Sequence, residues 1–156
     1  MSDPERITDR IEKTRIIKAP QSRVWQAIAD SQQFGAWFNF GFSEPFRPHT
    51  HIVGTIKEPG FEGRTADLWI ERIEPEHTFT FRWHPFALDP AHDYSDEPKT
   101  LITFALEHHP EGTRLTVTES GFDNIPVSRR AEAFRMNEGG WAIQIERIDR
   151  YVTTPT

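Results

Sequence analysis

The sequence of 156 residues contains no cysteine, which excludes disulfide bonds, thiolate zinc sites and cysteine nucleophiles. Basic residues are outnumbered, with 18 Lys and Arg against 24 Asp and Glu and a formal charge of −6. This balance offers no general attraction to nucleic acid or to an anionic membrane. Because the sequence also lacks a run of about 18 apolar residues, we expect neither a nucleic-acid partner nor membrane insertion.

Sequence signatures of cofactor and metal sites are missing as well. There is no G-x-G-x-x-G fingerprint, P-loop or G-x-S-x-G elbow, so we predict no cofactor. His49 and His51 are two residues apart and could supply two metal ligands, but no third ligand is identifiable, so we predict no metal site. The segment Met1–Arg6 is polar and lacks the apolar core of a secretory signal, so we expect a cytoplasmic protein.

Aromatic residues are abundant, with 12 Phe and five Trp but only two Tyr. Large apolar rings with few polar groups indicate either a ring-rich core or a ring-lined cavity. Composition leaves both alternatives open.

The spacing of apolar residues predicts a strand, two short helices, a series of strands and a long helix. The strand is predicted over Arg6–Lys18 and the first helix over Pro20–Asp30, with Ser31 as the cap of the second helix. The long helix runs from about Pro126 to Val152, and Gly139-Gly140 interrupts its pattern. Five apolar runs separated by turn residues predict an antiparallel meander between the helices, and they are Val53–Ile56, Leu68–Ile73, Phe79–Trp83, Leu101–Leu106 and Leu115–Val117.

An antiparallel sheet with one apolar face must cover that face, and the C-terminal helix is the element long enough to do so. We therefore predict one α+β domain over residues 1–156, with no second domain. Alternation places Phe79, Phe81 and Trp83 on the inner face of their strand. Between this strand and the next, the insertion Pro85–Pro98 is longer than a simple hairpin, and we expect it to lie over an opening of the interior.

In two of the predicted strands, the alternation can place a carboxylate on the inner face. Glu119 continues the inward alternation of Leu115 and Val117, whereas Leu68 and Ile70 compete with Glu71 for the inner face. A carboxylate among rings needs a partner, a shifted pKa or water. Glu119 is thus either a polar group in a ligand cavity or a hydrated strand end that caps or pairs with an arginine.

The apolar face of the long helix includes one amide. Asn137 follows Phe134 by three residues and precedes Trp141 by four, so the three side chains share a helical face. The amide is either a ligand-binding group or a core side chain hydrogen-bonded to the backbone.

Five ordered segments carry a family resemblance over residues 9–152. They are Ile17–Ile28, Phe34–Trp37, Ile73–Trp83, Gly112–Phe122 and Asn137–Trp141. Together they resemble the START-like (SRPBCC) superfamily, and more narrowly the homologues of the heat-shock-protein-90 ATPase activator. The resemblance implies a helix-grip fold, in which a curved antiparallel sheet surrounds a long C-terminal helix. It also implies an internal cavity that takes small hydrophobic molecules.

Superfamily resemblance does not select one activity, so three functions are considered. In the first, which we favour, the cavity between sheet and helix binds a small hydrophobic ligand. In the second, Glu119 acts as a general acid or base, with Glu71 as its partner. In the third, exposed rings at Phe42, Phe46, Phe61 and Phe86 bind a protein, as in a co-chaperone. A homodimer is compatible with all three, and no catalytic residue is assigned. The predicted ligand-binding residues are Trp37, Trp69, Glu71, Phe81, Trp83, Phe104, Glu119, Asn137 and Trp141.

Overall fold

The computed structural model describes residues 9–89 and 91–154. This part of the chain contains seven strands and three α-helices. Outside the described ranges lie residues 1–8, 90 and 155–156 of the predicted domain. Residues 6–8 of the predicted first strand are among them. The helices are α1 (Gln21–Ala29), α2 (Ser31–Phe38) and α3 (Val127–Thr153). The strands are β1 (Arg10–Ile17), β2 (Phe40–Phe42), β3 (Thr50–Ile56), β4 (Thr65–Glu74), β5 (Thr78–Trp83), β6 (Thr100–His109) and β7 (Gly112–Ser120).

The strands form a single antiparallel sheet with the order β1-β7-β6-β5-β4-β3-β2. The curved sheet packs around α3, which is the helix-grip arrangement. The prediction of an α+β helix-grip fold is therefore confirmed.

Strand alternation places the rings as the sequence predicts. Phe79 and Phe81 of β5 are fully buried, as are Ile102 and Phe104 of β6. These side chains contact one another across neighbouring strands because β5 and β6 pair Phe79 with Phe104. The rings thus form one shared interior.

The two short helices are separated at Asp30, whose backbone is extended. Its carboxylate accepts a hydrogen bond from the backbone N–H of Gln32 at 3.0 Å, which satisfies a free donor of the first turn. Asp30 is therefore the cap of α2, and the predicted cap, Ser31, is its first residue. Asn39, in the left-handed region with φ 67°, ends α2 and turns the chain into β2.

Helix α3 continues through Gly139 and Gly140 without interruption. Its buried face carries Trp141, Ile145 and Ile148, in agreement with the predicted stripe. Within the described ranges, no helix combines the length and apolar character needed to cross a membrane.

Candidate functional site

Glu119 lies between the sheet and α3, near the C-terminal end of β7. The regular alternation of β7 turns its side chain inward, where its exposure is 0%. Its oxygens accept hydrogen bonds from both neighbouring tryptophans: Trp83 Nε1 donates to Oε2 at 2.8 Å, and Trp141 Nε1 donates to Oε1 at 2.7 Å. The Thr100 hydroxyl donates to Oε2 at 2.5 Å, and Asn137 Nδ2 lies 3.0 and 3.2 Å from the two oxygens.

Burial raises the pKa of Glu119 above its ordinary value of 4.5, and the hydrogen bonds from Thr100, Trp83, Trp141 and Asn137 oppose this rise. An ionised carboxylate only accepts hydrogen bonds, and every partner here can donate one. The arrangement therefore suits the ionised form better than burial alone would allow.

The expectation of a hydrated Glu119 paired with an arginine is wrong. The carboxylate is enclosed, and its described partners are two indoles, a hydroxyl and an amide. Because these donors engage both oxygens, Glu119 is not presented to a substrate, and the geometry does not favour the acid–base alternative.

A cavity of about 990 Å³ adjoins this hydrogen-bonded cluster on the side of β4. Its rings are Phe38, Phe40 and Trp83 from the inner side and Trp69 from β4. Helix α3 contributes a stripe at helical spacing, which consists of Asn137, Gly140, Ile143, Gln144 and Arg147. A segment after β3 supplies Phe61 and Glu58, and Glu58 accepts a hydrogen bond from Arg147 at 2.5 Å.

The insertion Pro85–Pro98 forms a further wall of the cavity, through Phe86, Leu88 and neighbouring residues. Arg129 of α3 holds it in place: Nε donates to Glu97 Oε1 at 2.8 Å and Nη1 to the carbonyl of Pro85 at 2.7 Å. Arg64 donates to the carbonyl of Leu88 at 2.5 Å. The wall is thus held from two sides.

Trp69 is at the polar end of the cavity, between His51 and Lys99. The His51 ring stacks on the indole with centroids 4.5 Å apart, and Lys99 Nζ lies 4.2 Å from the centroid of the same indole. His84, which meets the Trp69 ring edge-on, has a pKa lowered by burial and by the charge of Lys99. His84 Nδ1 is buried without a hydrogen-bond partner among the described residues.

Three of the predicted ligand-binding residues line the cavity, and they are Trp69, Trp83 and Asn137. Glu119 does not line it, because its donors enclose it. Four predicted rings do not line it either, because they pack against their neighbours within the closed core, and they are Trp37, Phe81, Phe104 and Trp141. Trp37 also donates its indole N–H to the carbonyl of Ala27 at 2.8 Å.

Glu71 is not on the inner face. Leu68 and Ile70 take the inward positions of β4, and the register with β5 shifts between Ile70 and Arg72. The bulge leaves Glu71 in a partly exposed ion pair with Arg82 at 2.6 Å. The expectation of an inward Glu71 is therefore corrected.

The proposed patch of exposed rings is also corrected. Phe42 and Phe46 are each 7% exposed and pack on Phe34. Phe61 and Phe86 are half-buried and line the cavity instead. These four rings do not form a common exposed surface.

Four cavity residues on α3 were not predicted, and they are Gly140, Ile143, Gln144 and Arg147. Gln144 follows Asn137 by seven residues, and this spacing places both amides on the same helical face. The signal was therefore present in the sequence. At Gly140, a Cβ atom would meet nothing within 4 Å, so the wall is open there.

Among the described residues, no group of three or more His, Cys, Asp or Glu side chains is placed to hold a metal ion. His51 Nε2 instead lies 2.7 Å from Asp67 Oδ1.

The curved sheet packs around α3, and the cavity lies beside this core. The protein is therefore a helix-grip protein of the START-like superfamily. Within it, the chain belongs to the family described as Activator of Hsp90 ATPase homolog 1-like protein, whose family model matches residues 18–153. No curated protein matches the sequence.

Solved structures share the fold at low sequence identity. A protein from Mesorhizobium loti is 21% identical with a TM-score of 0.73, and the match covers 94% of this chain and 99% of that chain. A protein from Arthrobacter aurescens is 20% identical with a TM-score of 0.74, over 100% and 91% of the two chains. The Aha1 dimer from Colwellia psychrerythraea is 18% identical with a TM-score of 0.68, over 92% and 95%. These likenesses establish the fold.

Proposed function

We propose that this protein binds a small, largely apolar molecule in the cavity between β4, the insertion and α3. The observation that carries the proposal is the cavity of about 990 Å³. Pockets for small molecules typically enclose about 300–1,000 Å³, with apolar walls and a few placed polar groups. This cavity therefore has room for a molecule of several fused rings.

The rings of the cavity are more exposed than those of the neighbouring core, and this difference supports the proposed function. Phe79, Phe81 and Phe104 have 0% exposure and close the interior around α3. The cavity rings, Phe61, Trp69 and Phe86 among them, are only partly buried. A guest that covered these rings would remove apolar surface from water, which is favourable at about 25 cal/mol per Å².

The first experiment asks whether the cavity is the binding site. Gly140 lines the cavity and Gly139 is an exposed neighbour, and a Cβ at either position meets nothing within 4 Å. Gly140→Trp should therefore occupy the part of the cavity beside α3, and Gly139→Trp is a matched control that adds the same side chain outside it.

Binding is measured by calorimetric titration and by the rise in melting temperature with a panel of aromatic and aliphatic ligands that includes 2-naphthol. We expect the wild type and Gly139→Trp to bind the same panel members, and Gly140→Trp to bind them at least about tenfold more weakly. Native mass spectrometry of protein isolated from its own cells identifies a retained natural ligand by mass. If no panel member binds and no ligand is retained, the proposed function is wrong.

A homodimer is a separate proposal. Its support is the Aha1 protein from Colwellia psychrerythraea, a dimer with the same fold. Light scattering during size-exclusion chromatography tests it, and a monomer at high protein concentration would contradict it.

A further inference from the structure

The cavity wall on α3 carries two amide side chains, one on each side of an open position. Asn137 and Gln144 are separated by seven residues, about 10.5 Å along the helix, and Gly140 lies between them. Since a Cβ at Gly140 would meet nothing within 4 Å, a flat ring can approach the helix there. Both amides are then within reach of its substituents.

Glu119 fixes the orientation of the Asn137 amide. Asn137 Nδ2 lies within hydrogen-bond distance of both carboxylate oxygens, at 3.0 and 3.2 Å. The amide faces the carboxylate with its nitrogen, which is its donor atom, as the other donors Trp83, Trp141 and Thr100 do. The carbonyl Oδ1 is the free end of the amide, and no described donor bonds to it.

Gln144 provides an independent observation on the same wall. Its Oε1 atom is buried and has no hydrogen-bond partner among the described residues. A buried acceptor without a donor is unfavourable, and a ligand donor can satisfy it once the side chain turns toward the cavity. Asn137 and Gln144 therefore each bring one unpaired acceptor to this wall.

We infer that the cavity selects ring-bearing ligands that carry a hydrogen-bond donor, a hydroxyl or an N–H group, and that Glu119 sets this preference by holding Asn137 with its oxygen free. Asn137 is then a ligand-contacting residue and Glu119 a positioning residue that acts through it. The inference rests on the proposed function and specifies the ligand class of the same cavity.

The test compares two ligands that differ in one hydrogen-bond donor. 2-Naphthol has a hydroxyl group, and 2-methoxynaphthalene has the same rings with an oxygen that only accepts. Dissociation constants are measured at pH 8 in a Gln144→Leu background, which removes the second amide of this wall. We expect 2-naphthol to bind about tenfold or more tightly, because 2-methoxynaphthalene leaves the Asn137 carbonyl without a donor.

Glu119→Gln, added to this background, replaces the carboxylate with a group that can both donate and accept. Asn137 can then turn over, and the preference should fall to about threefold or less. If Glu119 had a purely structural role, Glu119→Gln would weaken the binding of both ligands equally and leave the ratio of their dissociation constants unchanged. Glu138→Gln, the same chemical change at an exposed position of α3, should leave the ratio unchanged.

Asn137→Leu is the second variant, and it should abolish the preference even where Glu119→Gln does not fold. Equal binding of the two ligands to the parent protein, with loss of both in Gly140→Trp, overturns the donor preference and leaves the proposed function standing. A preference that survives in Asn137→Leu also overturns the inference. If neither ligand binds and no other panel member does, the proposed function and the inference are both wrong.

Discussion

Arg129 Nε donates a hydrogen bond to Glu97 Oε1 at 2.8 Å, joining α3 to the insertion Pro85–Pro98. Both side chains are largely shielded, with exposures of 14% and 12%. Arg129 also donates to the carbonyl of Pro85 and lies over the ring of Tyr94. One guanidinium thus connects three points of the insertion to the helix.

Replacing Arg129 with methionine should loosen the insertion without unfolding the sheet. The variant loses two charge-assisted hydrogen bonds, each worth about 1.5–3 kcal/mol in a shielded site. We expect amide hydrogen exchange within the insertion to accelerate at least about tenfold, with β5 and β6 protected as before. Arg135→Met, at an exposed position of α3, is the control. Unchanged exchange in Arg129→Met would show that other contacts hold the wall.

Removal of the buried carboxylate should cost considerable stability. Glu119→Ala leaves two indole N–H groups, a hydroxyl and an amide without their acceptor. We expect the free energy of unfolding to fall by about 3–5 kcal/mol, and by less in Glu119→Gln, which retains acceptor capacity. Urea denaturation measures both variants, and a loss below about 1 kcal/mol in Glu119→Ala would contradict a structural role for this carboxylate.

The raised pKa of Glu119 predicts how the free energy of unfolding changes with pH. Above its ordinary value of 4.5, the folded protein retains a proton that the unfolded chain has released. Stability therefore falls as the pH rises through the folded-state pKa. The difference in unfolding free energy between the wild type and Glu119→Gln, measured at intervals up to pH 8, should decline over this window. A difference that instead increases with pH would mean that the hydrogen bonds outweigh burial.

Substitution by alanine should change the stability of the protein in opposite directions at two helical glycines. At Gly35 of α2, a Cβ would overlap the carbonyl oxygen of Phe40, so Gly35→Ala forces the backbone apart. At Gly139 of α3, a Cβ meets nothing within 4 Å. Gly139→Ala should stabilise the protein by about 0.5–1 kcal/mol through the helix propensity of alanine, whereas Gly35→Ala should lower the melting temperature by several degrees. Thermal unfolding distinguishes the two, and equal effects would contradict the close approach at Gly35.

Local patterns were sufficient for most of the fold. The alternation through Phe79, Phe81 and Trp83 and the helical spacing of Trp141, Ile145 and Ile148 each depend on one element, so the sequence displays them directly. Strand β2 was not predicted, because three residues carry too little periodicity and this strand depends on pairing with β3. Glu71 was ambiguous for a similar reason, since a bulge is a property of two paired strands.

The candidate site was less predictable than the fold because it depends on distant contacts. Parity placed Glu119 inside, but only the packed structure brings Trp83 and Trp141 to its two oxygens. The position of the cavity follows from the insertion, which is held by Arg64 and Arg129 from other parts of the chain. No local pattern could separate the rings that close the core from those that remain accessible.

The pairing of β1 with β7 has a consequence for biosynthesis. Thr14 and Thr116, which face each other in this pair, are 102 residues apart. Strand β1 therefore leaves the ribosome long before β7 is synthesised, and it remains unpaired until then. Charged residues along it, Arg10, Glu12, Lys13 and Arg15, discourage association with strands of other nascent chains. This edge strand, which can pair only after β7 is made, is thus protected from aggregation by its own sequence.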